Sequence, residues 1–331
     1  VFNRYGRRDN TYKARIKILV KAEGQKFFDA VAHEYDQLLT TDLAGREHII
    51  PQAELDRVAA SFRMPEKVRP AIGGFDPQRT GAAPVPFLRW LERNVKPHRI
   101  EGYRAVVLSL KRAGQPPGDV TSDQMEAAAT LADRYSLGEL RVSHEQNLVL
   151  PWVREADLLA LWHAARDAGY ATPNIGLLTD MIACPGGDLC GLANARSIPI
   201  AAGITEQFDD LEALLDLGEI DLHISGCMNS CGHHHTGHIG ILGVDKDGSE
   251  WYQVTIGGSD GTHLSGASVP GNVIGPSFAA DEVPDVVQAL IDTYRLHRHP
   301  AERFVDTSRR IGIAPFRSAA DQVRRETAVA A

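Results

Sequence analysis

The sequence predicts an α+β fold in three successive parts, and three observations support this. Apolar residues at 27–39 recur at spacings of three and four, as in an amphipathic helix. Residues 102–170 then follow the order strand, helix, strand, helix. Farther along, apolar and polar residues alternate immediately before a cysteine-rich loop, and two more strand patterns follow it. This order is typical of an α/β or α+β domain.

The first part, residues 1–88, is predicted to be a helical connecting segment with a linker. Residues 22–65 have helical patterns, in which Phe27, Phe28, Val31 and Tyr35 are spaced by three and four positions. Residues 64–86 are rich in proline and glycine, which favours a linker over regular structure.

The second part, residues 89–160, is predicted to begin with a strand at 102–110. A helix follows, with Thr121 or Ser122 as its N-cap. Residues 139–153 are then predicted to form a strand, and residues 156–170 a helix.

The third part, residues 161–331, contains the loop GCMNSCGHHHTGHIG at 226–240. Before it, IDLHISGC predicts a half-buried strand with Asp221 and His223 on its polar face. HIGILGV and WYQVTIGG predict two further strands, and PDVVQALIDTYRLHRH predicts a closing amphipathic helix.

Composition excludes several functional classes. The chain is 43% hydrophobic and 24% charged, as in ordinary soluble proteins, and has no apolar run long enough for a membrane span. Its net charge of −8 is spread along the chain, which argues against a nucleic-acid binder. No secretion signal is recognisable, so the cytoplasm is the expected location.

The chain has four cysteines, in two pairs, which are Cys184 with Cys190 and Cys227 with Cys231. Disulfides are disfavoured because the cytoplasm is reducing and the chain is long enough to form a core. A zinc site usually has tighter pairs than CxxxxxC, and inert buried cysteines would not be paired. An iron–sulfur cluster is favoured, since thiolates on glycine-containing loops can approach it closely and backbone N–H groups can donate to its sulfur atoms.

The segments around the cysteines resemble a known family. DMIACPGGDLCGLANARSIPIA and ISGCMNSCGHHHTGHIGILGVDK resemble the cluster and sirohaem signature of the nitrite and sulfite reductase haemoproteins. LRVSHEQNLVLPWV resembles the second of that family's two ferredoxin-like half-repeats, and residues 6–31 resemble the segment joining its halves. The cysteine segments are more similar to the bacterial assimilatory sulfite reductase haemoprotein (beta) component than to the nitrite enzymes.

The resemblance implies a connecting segment at 1–88, a ferredoxin-like half-repeat domain at 89–160 and an α/β sirohaem and [4Fe-4S] domain at 161–331. It implies that the cluster is held by Cys184, Cys190, Cys227 and Cys231. The sulfur of Cys231 would also be the axial ligand of the sirohaem iron, which makes it the expected catalytic residue. The expected activity is the six-electron reduction of sulfite to sulfide in sulfur assimilation. Assimilatory reduction of nitrite to ammonium is the first alternative, and a non-catalytic four-cysteine cluster or zinc protein is the second.

Other residues are expected to line the sirohaem. They are Lys96, Arg141, Gln146, Asn147 and Asn229, although a surface or turn contact is the alternative for Lys96 and Arg141. The histidines of HHHTGH are expected to form hydrogen bonds, deliver protons or lie in a solvated loop rather than bind a second metal.

The first half-repeat and the family's distal arginines and lysines are not found in the sequence. The chain is therefore expected to be the C-terminal part of a longer haemoprotein, with an exposed apolar surface where the other half belongs. It has no nicotinamide or flavin fingerprint, so a ferredoxin or a flavoprotein subunit is the expected electron donor for sulfite or nitrite. Basic residues of the C-terminal segment, among them Arg298 and Arg310, are one candidate docking surface.

Overall fold

A computed structural model describes residues 1–10, 13–41, 50–62, 64–66, 68, 83–261 and 267–330. The chain divides into two units, residues 1–69 and 70–331. The boundaries predicted at 88/89 and 160/161 stay predictions. In the described part, no helix is both long and apolar enough to cross a membrane.

The described part of the first unit is helical. Its helices are α1 (Phe2–Tyr5), α2 (Ile16–Glu23), α3 (Gln25–Thr41) and α4 (Gln52–Ala60). The helix predicted across 22–65 is interrupted at Gly24, whose φ of +56° ends α2 because glycine reaches the left-handed region without steric cost. Residues 42–49, and most of the linker predicted at 64–86, lie outside the described residues.

Helix α3 carries an exposed apolar face. Phe28, Val31, Tyr35 and Leu38 follow one another at spacings of three and four, and between 42% and 54% of each side chain's surface is exposed. Contiguous apolar surface of this kind is unusual on a monomer. The prediction of an apolar surface where the other half of the haemoprotein belongs stays a prediction.

The second unit begins with a four-stranded antiparallel sheet flanked by helices. Its strands are β1 (Val95–Pro97), β2 (Tyr103–Leu108), β3 (Arg141–Val142) and β4 (Leu148–Arg154), in the order β1-β2-β4-β3. Helices α5 (Val85–Asn94), α6 (Ser122–Tyr135) and α7 (Leu158–Asp167) pack against it around Trp90, Leu150 and Leu161. The predicted N-cap is confirmed at Thr121, which forms a capping box with Gln124.

One strand prediction in this domain is wrong. Residues 139–153 form a hairpin of β3 and β4 rather than a single strand. Ser143 donates its backbone N–H to Asn147 O at 2.9 Å and so closes the turn between them. Gln146 within that turn has a φ of +57°. The polar residues SHEQN interrupt the apolar alternation at this point, because they form the turn.

A second, mixed sheet follows in the same unit. Its strands are β5 (Ile182–Ala183), β6 (Leu222–Ser225), β7 (Ile239–Lys246), β8 (Ser249–Ile256), β9 (Asn272–Val273) and β10 (Phe278–Ala279). The order is β10-β8-β7-β6-β5, with β9 also paired to β8. Strands β5, β6 and β7 are parallel, and the other pairs are antiparallel.

Among the described residues, five α-helices complete this domain. They are α8 (Ile198–Gln207), α9 (Leu211–Leu217), α10 (Val283–His297), α11 (Phe304–Ile311) and α12 (Ala314–Ala330). Val286, Leu290 and Ile291 of α10 are fully buried in the core with Ile241 and Val254 of the sheet. The sequence predictions of β7, β8 and α10 are confirmed.

The predicted half-burial of β6 is wrong. All four of its residues are buried, including His223, which the alternation of the sequence predicts on the polar face. The reason is that parallel strands at the centre of a sheet are covered on both faces. The loop from Gly226 to His238 covers the His223 face, since His223 Nδ1 lies 3.0 Å from His233 O.

Candidate metal centre

Two of the cysteines follow neighbouring parallel strands. Cys184 comes directly after β5, and Cys227 comes two residues after the end of β6. Ala183 pairs with Ile224, and Cys184 donates its N–H to Ile224 O at 3.1 Å. Because the carboxyl ends of parallel strands meet at one edge of a sheet, the two thiols lie on adjacent loops.

The loop that carries Cys190 is folded back against the second cysteine loop. Cys190 donates its N–H to Gly186 O at 2.9 Å, and Asn194 and Ala195 both donate to Gly226 O, at 2.8 and 3.0 Å. A Cβ on Gly226 would lie 2.5 Å from Ala195 O and 2.7 Å from Gly186 Cα. Only glycine therefore allows the two loops this close approach.

Cys231 lies in a tight turn after Cys227. Ser230 donates its N–H to Cys227 O at 3.1 Å and has a φ of +61°. Gly232 donates its N–H to Ser225 Oγ at 3.1 Å, which holds the turn against β6. Cys231 is exposed, whereas Cys227 is buried.

The four thiols are free, and three of them act electrostatically on the fourth, Cys231. None of the four forms a disulfide. Partial burial and, after it, the charges of the other three cysteines raise the pKa of Cys231. The Sγ of Cys184 also accepts a hydrogen bond from Gly226 N–H at 3.1 Å and lies 3.6 Å from Ser197 Oγ.

This donor set fits an iron–sulfur cluster. Four thiols come from loops whose glycines admit close approach, and a backbone N–H donates to one sulfur, as such bonds do in cluster sites. Within the described ranges, no three His, Cys, Asp or Glu side chains form a group that could hold one metal ion.

Gln146 and Asn147, both predicted to line sirohaem, have their amides engaged within the protein. Gln146 Nε2 donates to Ala183 O, and Ala183 N–H donates to Gln146 Oε1, both at 2.9 Å. Asn147 accepts Leu110 N–H at 3.0 Å and donates to Asp180 Oδ1 at 2.9 Å. Together with Cys184, the two amides line a cavity of about 410 Å³.

The other predicted cofactor residues are more dispersed. Asn229 is exposed in the turn between Cys227 and Cys231. Arg141 is exposed on β3 and paired with Glu139. Lys96 is exposed on β1, at the other edge of the sheet from β3. The roles assigned to these residues from the sequence stay predictions.

The structure adds a buried ion pair that sequence patterns did not indicate. Lys111 Nζ lies 3.1 Å from Asp180 Oδ1, and the two side chains are 1% and 6% exposed. Lys111 also donates to Glu145 O at 2.6 Å, and Asp180 accepts Gly176 N–H at 3.0 Å. This network ties the half-repeat sheet to the segment that leads into β5 and Cys184.

A second buried group lies near the opposite ends of β6 and β7. His238 Nδ1 accepts the backbone N–H of Asp221 at 3.1 Å, and His238 Nε2 lies 3.3 Å from Asp221 Oδ2. Burial raises the pKa of Asp221 to about 6 and lowers the pKa of His238 to about 4. Since Nδ1 is the acceptor, the proton of the neutral ring lies on Nε2.

We expect Asp221→Asn to make stability fall more steeply in acid. The raised pKa of Asp221 gives stability that is lost as pH rises from 3.8 to about 6, whereas the lowered pKa of His238 gives stability that is lost as pH falls from 6.5 to about 4. In the wild type, these two pH dependences of the free energy of unfolding oppose each other. The variant keeps only the dependence that comes from His238. Its free energy of unfolding should therefore drop by about 3 kcal/mol more than that of the wild type as pH falls across this window.

Urea denaturation at pH 6.5, 5 and 4 measures this difference. The control is Glu126→Gln, which removes an exposed carboxylate from α6. If the free energy of unfolding changed with pH in the same way in Asp221→Asn and the wild type, this would contradict the expected opposition between the Asp221 and His238 contributions.

Comparisons with known proteins identify both domains of the second unit. Residues 111–168 match the nitrite/sulfite reductase ferredoxin-like half domain. Residues 179–327, which include all four cysteines, match the nitrite and sulphite reductase 4Fe-4S domain. The chain thus has a ferredoxin-like half domain followed by a 4Fe-4S domain. It belongs to the nitrite/sulfite reductase 4Fe-4S family.

Several curated proteins are similar over part of their length. The ferredoxin–nitrite reductase of Synechococcus elongatus is 30% identical over 63% of this chain and 40% of its own length. The chloroplastic ferredoxin–nitrite reductase of Oryza sativa is 32% identical over 60% of this chain and 35% of its own length. The chain therefore spans about two fifths of these relatives. The assimilatory-type sulfite reductase of Nitratidesulfovibrio vulgaris is 24% identical over 62% of this chain and 88% of its own length.

Solved structures share the fold. The Mycobacterium tuberculosis NirA protein superposes with a TM-score of 0.56 at 23% identity, over 94% of this chain and 50% of that chain. Dissimilatory sulfite reductase I (DsrI) superposes with a TM-score of 0.54 at 14% identity, over 66% of this chain and 69% of that chain. The α+β fold class predicted from the sequence, with N-terminal helices, is confirmed.

The expected closeness to sulfite reductases is not supported. The nitrite reductases above are 30% and 32% identical to this chain, whereas the sulfite reductase is 24% identical. The reason is that the matched 4Fe-4S domain is common to nitrite and sulphite reductases. Residues of the cysteine segments therefore carry little information about which anion is reduced.

Proposed function

We propose that this chain is the cluster-bearing part of a sirohaem-dependent reductase that converts nitrite to ammonium in six one-electron steps. The observation that carries the proposal is that four free thiols lie on the two adjacent loops after β5 and β6, within a region that matches a 4Fe-4S domain. The closer similarity to ferredoxin–nitrite reductases supports nitrite as the substrate and a ferredoxin as the electron donor. Assimilatory sulfite reduction is the second candidate, because the related sulfite reductase is matched over most of its length.

In this proposal, Cys184, Cys190, Cys227 and Cys231 hold the cluster, and Cys231 is shared with the sirohaem iron. Cys231 is the exposed cysteine of the four, which leaves its sulfur accessible to a second metal centre. Sirohaem, when bound, supplies the iron at which the anion is reduced. The N–H of Gly226 stabilises negative charge on the Cys184 sulfur, and such bonds favour the electron-rich state of a cluster.

Most arginines of the C-terminal segment are neutralised within the fold. Arg298 pairs with Asp216, Arg303 with Asp306 and Arg310 with Glu302. These pairs reduce the positive charge that the segment can offer to an acidic ferredoxin. We therefore propose ferredoxin as the donor without assigning its docking to this segment, and we propose the cytoplasm as the location.

The test begins with the anaerobically purified protein. Iron, acid-labile sulfide and extracted tetrapyrrole are counted per chain, and kcat/KM for nitrite and sulfite is compared with a reduced viologen as donor. We expect one four-iron cluster and one sirohaem, with nitrite preferred. A preference for sulfite would support the second candidate, and zinc or a metal-free protein would support a structural role for the cysteines.

Cys231→Ser separates the proposed ligand set from other assignments. We expect this variant to lose the tetrapyrrole absorption and all reductase activity, because its serine cannot replace the shared thiolate. Ser318→Ala, an exposed position on α12, is the control and should retain both. An intact sirohaem spectrum in Cys231→Ser would contradict the assignment of the axial ligand.

A further inference from the structure

Strand β5, which leads into Cys184, is an edge strand. It pairs with β6 on one side, and no other described strand lies on its outer side. Cys184 N–H points inward, since it donates to Ile224 O. Backbone groups alternate in direction along a strand, so the N–H and C=O of Ala183 point outward. A backbone N–H and C=O that point outward from a buried edge strand need hydrogen-bond partners from outside the sheet.

The side chain of Gln146 supplies both partners. Its amide donates to Ala183 O and accepts Ala183 N–H, each at 2.9 Å. These are the two hydrogen bonds that a neighbouring strand would make with one residue. We call this pair of hydrogen bonds the Gln146 clamp. Ala183 is 5% exposed, so water cannot readily replace the clamp.

The turn between β3 and β4 orients the side chain of Gln146 towards β5. Gln146 adopts a left-handed φ of +57°, which a non-glycine residue keeps only when its surroundings enforce it. Ser143 O accepts Gln146 N–H at 3.3 Å, and the next side chain, Asn147, is held by Leu110 and Asp180. Gly118 packs closely against Gln146, since a Cβ on Gly118 would lie 2.9 Å from Gln146 Cβ. The turn is therefore fixed on several sides.

We propose that Gln146 is a positioning residue that fixes Cys184, and through it the potential and retention of the cluster. This inference rests on the proposed role of Cys184 as a cluster ligand. It differs from the contact with sirohaem that the sequence predicted for Gln146. The Cys184 backbone is held by Ile224 on its inner side, and the preceding residue is held by the clamp on its outer side. Any shift of this segment changes the Gly226 N–H to Cys184 Sγ hydrogen bond, which is 3.1 Å long.

Two variants remove the clamp while keeping the turn. Gln146→Asn retains an amide and tolerates positive φ, but its side chain is one methylene too short to reach Ala183. Gln146→Gly removes the side chain and also tolerates positive φ. The matched control is His144→Ala in the same turn, where the imidazole is 77% exposed.

The measurements are the midpoint potential of the cluster, the EPR spectrum of its reduced form and the rate of cluster loss to an iron chelator. Both clamp variants should lose the cluster about 10–100-fold faster than the wild type, as is usual when a group supporting a metal ligand is removed. Their potentials and EPR spectra should shift, and His144→Ala should match the wild type. Far-UV circular dichroism confirms that each variant is folded.

The outcomes separate this inference from the proposed function. A wild type with a four-iron cluster, and clamp variants identical to it in all three measurements, would overturn the positioning role. A wild type without such a cluster would overturn the proposed function instead. If Gln146→Gly fails to fold, Gln146→Asn still decides the question, because asparagine keeps both the amide and the turn.

Discussion

Asp180→Ala should lower the free energy of unfolding by about 3–5 kcal/mol. The substitution leaves the ammonium of Lys111 buried, with 1% of its side chain exposed and no carboxylate beside it. It also removes the acceptor of the Asn147 amide and of Gly176 N–H. Uncompensated burial of a charge is among the largest single-residue effects on stability. Urea denaturation with a linear extrapolation measures the loss.

Two controls make this result specific. Asp167→Ala removes a carboxylate that is 73% exposed and paired with Arg166, so it should cost less than about 1 kcal/mol. The double variant Lys111→Met with Asp180→Asn removes both charges at nearly constant volume and should be more stable than Asp180→Ala. A double variant less stable than Asp180→Ala would show that loss of the ion pair itself, rather than burial of the unpaired Lys111 ammonium, dominates the loss of stability.

Gly232→Ala should abolish cluster binding. A Cβ at this position would lie 2.0 Å from Ile224 O and 2.8 Å from Ile224 C, and both atoms belong to the backbone of β6. Because no side-chain rotation can relieve the contact, the turn that carries Cys231 must move away from the strand. We expect iron and labile sulfide at about a tenth of the wild-type content or less.

Gly191→Ala is the matched control for this glycine. It lies directly after Cys190, yet a Cβ there meets nothing within 4 Å. This variant should keep the cluster in full. Equal cluster loss in both variants would mean that general sensitivity of the cysteine loops, rather than the contact with Ile224, explains the result.

The sequence allowed most elements and the cysteine site to be predicted. Periodicity indicated β2, β7, β8 and α10, because each alternates or repeats with its own period over several residues. The spacing and glycine content of the cysteine segments indicated a metal site, since ligand chemistry is local in the chain.

The features that the sequence did not predict depend on contacts between residues far apart in the chain. Neither the Lys111–Asp180 pair nor the Gln146 clamp can be read from periodicity, because the partners are far apart in the chain. Burial of His223 was missed for the same reason, since it depends on the loop that folds over β6. The expectation of sulfite as the substrate rested on the cysteine segments, whose 4Fe-4S domain is common to nitrite and sulphite reductases, whereas the similarity to ferredoxin–nitrite reductases favours the alternative.

The hydrogen bonds between the two cysteine loops affect how the metal centre is assembled. Gly226 O accepts two N–H groups from the opposite loop, and all of these atoms belong to the polypeptide. These hydrogen bonds therefore hold the two cysteine loops together through backbone atoms alone, which lowers the entropy that a ligand bridging the loops would have to overcome. A cluster bound as proposed would join two loops whose relative position the backbone already restrains.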